Sequence, residues 1–272
     1  MSEFPAEAPL QDNSPEKEDV PEKIPAPYSL VPHLSETAIL LDIDGTLLDL
    51  MPTPREVQVP PGLAKTLKGL TERTAGALAL VSGRSLGDID RIFAPDQFPA
   101  IGGHGAEMRL LRGDAVASGA PPLDDELRRR LAAIAQLSPK ILLEDKGYSL
   151  ALHYRLAPRA EKVIHEAICL IRGDLPDAAI EVLPGKCVFE IKRSTFTKAS
   201  GVRELMRHRP FHGRKPLFIG DDITDESVFA IMPAWDGLAF SVGRRVKGVA
   251  GHFDAPSDVR EFLAHLVDNE GT

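Results

Sequence analysis

The stretch Leu40-Leu41-Asp42-Ile43-Asp44-Gly45-Thr46-Leu47-Leu48-Asp49 decides the reading of this chain. An apolar run ends in two carboxylates one residue apart, and a glycine turn follows. Residues 37–43 read as a buried strand. Side chains alternate along a strand, so Asp42 and Asp44 are expected on the same side. Two like charges ~4 Å apart at an effective dielectric of ~20 repel by about 4 kcal/mol. A fold that keeps them together is expected to place a cation between them, which points to Mg²⁺ and an oxygen-rich substrate.

Working outward, the same order recurs: apolar strand, small or polar turn, helix. Pro60-Pro61-Gly62 opens a helix with Leu63, Leu67 and Leu70 on one stripe. Residues 77–81 form a short apolar run that ends at Ser82-Gly83-Arg84-Ser85, and a helix is expected over 86–93. Residues 99–102 end in Gly102-Gly103-His104-Gly105. This alternation predicts a parallel sheet with helices on both faces. Ligands in such sheets sit beyond the carboxyl ends of the strands, where all these turns fall. The pattern breaks after residue 110. Helices over 124–136 and 158–172 alternate with hairpins over 141–154 and 179–192, and Tyr148, Leu150, Leu152 and Tyr154 alternate as in a half-exposed sheet. The parallel pattern resumes with a helix from Lys198, a strand over 217–220 ending in Gly220-Asp221-Asp222, and a helix over 257–267. The expected organisation is a Rossmann-like α/β parallel-sheet core from residues 35–110 and 194–272, with an α+β module, 111–193, inserted in it. Residues 1–34, rich in Pro and acidic residues, read as a disordered tail.

The 272 residues are 43% hydrophobic, enough for a sizeable core. A net charge of −8 argues against nucleic-acid binding and leaves a phosphate substrate open, since a metal offsets its charge locally. No apolar run is long enough to span a bilayer. The start Met1-Ser2-Glu3-Phe4-Pro5 lacks the features of a signal peptide, and Cys169 and Cys187 make no disulfide framework and read as two buried thiols, so a reducing cytoplasm is expected. Oligomeric state is not legible; a monomer is the default expectation.

Three further residue sets bear on chemistry. Asp221 and Asp222 form a second acidic pair at a strand end; either pair alone also fits a turn or helix cap. Together with Asp42 and Asp44 they favour an Mg²⁺ cluster. Ser82 can hold a phosphate oxygen, or simply serve its turn. Lys198 stands at a helix N-terminus, where the dipole disfavours a cation.

The order Asp42-x-Asp44-Gly-Thr, Ser82, Lys198 and Gly-Asp221-Asp222 resembles the four motifs of the haloacid dehalogenase superfamily of phosphatases, across residues 37–266. One departure is Ala199, where the family has glycine after the lysine. The resemblance implies an aspartyl-phosphate mechanism with Asp42 as nucleophile and Asp44 as acid and then base. It implies Mg²⁺ held by the Asp42 carboxylate, the Asp44 backbone carbonyl and Asp221, with Asp222 near its water. It gives Ser82 and Lys198 the phosphoryl group. More narrowly, Ser82-Gly-Arg-Ser85, Gly103-His104-Gly105-Ala106-Glu107, Glu144-Asp-Lys146, His153-Tyr154-Arg155, Gly185-Lys186-x-x-Phe-Glu190 and Gly220-Asp-Asp-x-Thr-Asp225-Glu226 are similar to the trehalose-6-phosphate phosphatase family. The inserted module then corresponds to a cap. Glu144, Lys146, Arg155, Lys186 and Glu190 would read the sugar and phosphate, with Arg84, His104 and Glu107 beside them. On spacing alone, Glu144/Lys146 and Lys186/Glu190 read as surface ion pairs across strands. The substrate implied is trehalose 6-phosphate. Alternatives are sucrose phosphate, mannosylglycerate phosphate, or sensing without turnover. Hinges for cap closure are expected near 109–113 and 192–196.

Overall fold

The computed structural model describes residues 30–31, 33–51, 56–115, 118–185 and 187–269. The tail expected over residues 1–34 therefore falls outside the described residues as far as residue 29. Leu34, in a 3-10 turn over Leu34–Glu36, is fully buried, so the packed chain begins before the expected core boundary at residue 35.

In chain order the elements are β1 (Thr37–Leu41), α1 (Leu63–Arg73), β2 (Leu78–Val81), α2 (Leu86–Phe93), β3 (Ala100–Gly102), β4 (Glu107–Arg109), β5 (Ser118–Gly119), α3 (Asp125–Ala135), β6 (Leu142–Asp145), β7 (Ser149–His153), α4 (Glu161–Asp174), β8 (Ile180–Gly185), β9 (Val188–Arg193), α5 (Lys198–Leu205), β10 (Lys215–Gly220), α6 (Ile223–Phe229), β11 (Leu238–Val242), β12 (Gly251–Phe253) and α7 (Pro256–Asn269). Among the described residues, eight strands form one sheet in the order β12-β11-β10-β1-β2-β3-β4-β5, and four form another, β6-β7-β9-β8.

β1 lies inside the large sheet, parallel to β10 on one side and β2 on the other. All five of its residues are buried, which is why it reads as an unbroken apolar run. Ile39 and Leu41 face the layer of α1, α2 and α7, packing with Leu67, Ile89 and Phe262. Ala38 and Leu40 face the layer of α5 and α6, packing with Val202, Leu205 and Val228. The α/β fold with helices on both faces is as expected. It differs at one edge, where β4 and β5 run antiparallel. Because β5 pairs with β4, the large sheet extends past the expected boundary at 110; a two-residue strand has no periodicity to announce it.

The small sheet is wholly antiparallel. One face, with Leu150, Leu152, Phe189 and Ile191, packs on α3 and α4 through Leu127, Leu131, Ile164 and Ile168. The other is polar. The row Glu144–Ala151–Glu190 crosses β6, β7 and β9 in register, and Ser149 faces Lys192. Central β7 is not half-exposed as expected, since Ser149 and Ala151 on the polar face are buried too.

Two connections join this module to the core. Arg193 donates to the Pro122 carbonyl at 2.9 Å and to Asp124 at 3.4 Å, tying them together on the module side. Arg109, at the start of one expected hinge, is buried and forked onto Asp90 at 2.6 and 2.9 Å, so the first residue of that segment is anchored. Cys169 and Cys187 are free thiols, but they are not the two buried thiols expected: Cys169 is exposed and Cys187 only partly buried. No described helix is long and apolar enough to cross a membrane.

Candidate active site

The site lies at the carboxyl ends of β1, β2, β3 and β10. Asp42 follows β1 directly and its N–H is held by the Ile219 carbonyl of β10 at 3.0 Å. Its Oδ1 accepts from Lys198 Nζ at 2.7 Å, and the same ammonium donates to Asp225 Oδ1 at 2.7 Å. Lys198 is the first residue of α5, whose N-cap Thr197 and Ser200 form a reciprocal capping box. The dipole penalty there is outweighed by two buried carboxylates. Although burial works against its charge, Asp42 and Asp225 keep the lysine pKa above its ordinary value.

Asp42, Asp221 and Asp225 place carboxylate oxygens within 4.8 Å of one another. Burial, opposed by Lys198 and reinforced by Asp221, pushes Asp42 up to about 7. Burial, and then the charge of Asp42, raises Asp225 to about 7 as well. Asp221 is raised, chiefly by burial. Three crowded carboxylates that resist ionising together form a hard-oxygen donor set suited to Mg²⁺. The oxygens are unequally engaged. Asp225 uses Oδ1 for Lys198 and Oδ2 for the Asp222 N–H at 3.0 Å. Asp42 Oδ2 and Asp221 Oδ1 accept long bonds from Thr46 Oγ1, at 3.4 and 3.3 Å. Gly45 has φ +79°, and a Cβ on it would lie 2.1 Å from Asp221, so the turn closes over the acid only with glycine there.

Asp42 and Asp44, expected to share one cation, each also lie against a cationic side chain. Asp42 has Lys198, and Arg84 forks onto Asp44 at 2.5 and 2.6 Å. Asp222, expected near metal-bound water, caps α6, accepting from the Ile223 N–H at 2.6 Å. Asp225 takes the third place in the cluster. Ser82, just past β2, is buried; its Oγ accepts from the Arg84 N–H at 3.1 Å. His104 lies against Gly83 in the left-handed region, φ 54°. Burial, only partly offset by Glu190, lowers its pKa to about 4, so it is neutral. Glu107 Oε2 accepts from the Leu86 N–H at 2.5 Å.

On the module, one ion pair differs from the pairing read on spacing. Lys146 meets Glu190 at 3.3 Å rather than Glu144, and Ser149 Oγ also donates to Glu190 Oε1 at 2.8 Å. Glu144, on edge strand β6, pairs with His153 at 2.9 Å and stays half exposed. Arg155 is exposed beyond β7. Lys186 lies outside the described residues.

Residues 40–254 match the family model described as trehalose-phosphatase. A probable trehalose-phosphate phosphatase of Sinorhizobium fredii is 40% identical over 86% of this chain and 89% of its own length. The Escherichia coli trehalose-6-phosphate phosphatase is 37% identical over 89% and 91%. The chain belongs to the trehalose-phosphatase family. Its fold agrees with that of the Candida albicans trehalose-6-phosphate phosphatase C-terminal domain, with TM-score 0.70 and 20% identity over 86% of this chain and 92% of that one. A phosphatase of the haloalkanoate superfamily from Bacteroides thetaiotaomicron matches at TM-score 0.62 with 15% identity, over 87% and 97%.

For this member of the trehalose-phosphatase family, sequence reasoning missed Thr46 and Ser149, and gave Asp225 no role although it stands in the last motif. Asp225 stands three residues after the N-cap Asp222, where an acid reads as a capping-box partner. It is that as well, and only the burial of Lys198 beside it shows the second use. Lys192 is buried on the module's polar face, bonded to Glu181 at 2.6 Å and the Phe196 carbonyl at 2.5 Å. Lys198 rather than Lys192 reaches Asp42.

Proposed function

We propose that the chain hydrolyses trehalose 6-phosphate to trehalose and phosphate, with Asp42 as nucleophile. The reading is carried by the buried Asp42 carboxylate, held by Lys198 at the strand ends while Asp44 stands apart on Arg84. Asp42 Oδ1 attacks phosphorus and the bond to the sugar oxygen breaks. Asp44 gives that oxygen a proton, then takes one from the water that hydrolyses the aspartyl phosphate and restores Asp42. Arg84 occupies both Asp44 oxygens, so it must exchange Asp44 for substrate before that proton moves. A bidentate guanidinium suits a phosphate equally well. Lys198 and Ser82 bind the phosphoryl oxygens and offset their charge. Asp225 holds Lys198 in place.

The less engaged oxygens of Asp42 and Asp221, with the Asp44 carbonyl, would hold Mg²⁺. When bound, the ion neutralises these carboxylates and the phosphoryl charge. Glu190, Lys146, His104 and Glu107 converge where the module's polar face meets the core, and would read the sugar. Glu144, Arg155 and Lys186 would complete that set.

The test is phosphate release across a panel of sugar phosphates, with Mg²⁺ and after chelation. Trehalose 6-phosphate should give the highest kcat/KM and chelation should abolish it. A strong preference for sucrose or mannosylglycerate phosphate would overturn the substrate; full activity without a divalent ion would overturn the metal.

A further inference from the structure

Where the small sheet meets the core, two buried polar atoms have no hydrogen-bond partner: Tyr148 Oη and His104 Nδ1. Tyr148, immediately before β7, is 8% exposed. Its hydroxyl rests on Gly103, where a Cβ would lie 2.5 Å from Oη; Gly103 also has φ +55°, so the contact depends on glycine. Buried hydroxyls normally find a partner, and one left without it lowers stability. A site that leaves one orphaned is arranged for an acceptor supplied from outside.

The surroundings say which acceptor. Burial first, then the charges of Glu107 and Glu190 and a contact with the Glu107 carboxylate that falls short of hydrogen-bond geometry, push the Tyr148 pKa above its ordinary value, so its O–H stays a donor. The carboxylates that stand close to it repel a phosphate. A sugar hydroxyl suits the place, since it accepts from a phenol and donates to a carboxylate at once. We propose that Tyr148 is a specificity-determining residue whose hydroxyl donates to a hydroxyl of the substrate's sugar, at a position shared with Glu107, Glu190 and His104. This rests on the reading of the chain as a sugar-phosphate phosphatase.

Tyr148→Phe removes only the oxygen. Its kcat/KM for trehalose 6-phosphate should fall about ten-fold further than that for p-nitrophenyl phosphate, the size of one hydrogen bond, with the loss in KM. Its Tm without ligand should be close to that of the parent, because only the weak contact with Glu107 is lost. An unchanged KM, equal losses on both esters, or a Tm lower by several degrees would each overturn the proposal, the last by showing a structural bond. If the parent prefers another sugar phosphate, the substrate reading fails while Tyr148 is judged by the same comparison on that ester. If it hydrolyses none, both readings fall.

Discussion

The core site and the module's polar face use charge in opposite ways. In the core, Asp42, Lys198 and Asp225 are all buried and each is held by another at 2.7 Å. On the module, acids are spread along one face of a sheet, from partly buried Glu190 to half-exposed Glu144, and Tyr148 has no partner. The contrast teaches a division of labour. On the proposed reading the nucleophile and the lysine that holds it are fixed before substrate arrives, which removes reorganisation from that step, and only Asp44 must first be released by Arg84. The groups proposed to choose the sugar are held less completely, and the correct ligand would satisfy them.

The largest effect belongs to the core. Asp42→Asn should lower turnover of trehalose 6-phosphate and p-nitrophenyl phosphate alike by at least ~10⁴-fold, the scale on which loss of one member of a catalytic set acts. The fold should survive, since one of three crowded carboxylates is neutralised. Stopped assays on both esters, with circular dichroism, measure this. Appreciable residual activity, or a loss confined to the sugar ester, would break the division.

Next comes pH. Asp42 and Asp225 have folded pKa values of about 7, against an ordinary value of 3.8. Between these values the folded ion-free protein binds more protons than the unfolded chain, so stability from these groups is full below about 4 and declines as pH rises through 7. The Tm of chelated protein should therefore fall from pH 5 to 8, and Mg²⁺ should flatten the decline. Binding of Mg²⁺ must displace those protons, so affinity should weaken below pH 7 and calorimetry should detect proton release at pH 6 that vanishes above pH 8. A chelated protein whose Tm is flat over this range would show that the carboxylates are not crowded as described.

Much of this was legible in the residues. β1 was, because a central strand buried on both faces must be apolar throughout, and its carboxylates could serve only at its end. The edges were not. β12 and β5 exist because a neighbour offers them hydrogen bonds, and three or two residues carry no period. α6, at seven residues, is fixed by capping rather than by an apolar stripe. In the site, the motif acids and Lys198 were legible. The pairing that gives Arg84 to Asp44 and Lys146 to Glu190 was not, since it depends on strands 40 or more residues apart.

The smallest effects grade the polar face itself. Glu190 sits on β9 between two strands, held by Lys146 and Ser149, whereas Glu144 is on edge strand β6, two strands away in the same row. Both acids face the same way, so a sugar touching one lies toward the other. Position in the sheet then sets their weight. Glu190→Gln changes a partly buried charged hydrogen bond and should lower the ratio of kcat/KM for trehalose 6-phosphate to that for p-nitrophenyl phosphate by ~10–100-fold. Glu144→Gln alters an exposed contact, of the kind that contributes ~0.2–1 kcal/mol, and should raise KM only about two-fold. Equal losses would mean that the module moves in turnover until β6 stands as close to the sugar as β9, and the gradient in burial would then describe the resting enzyme alone.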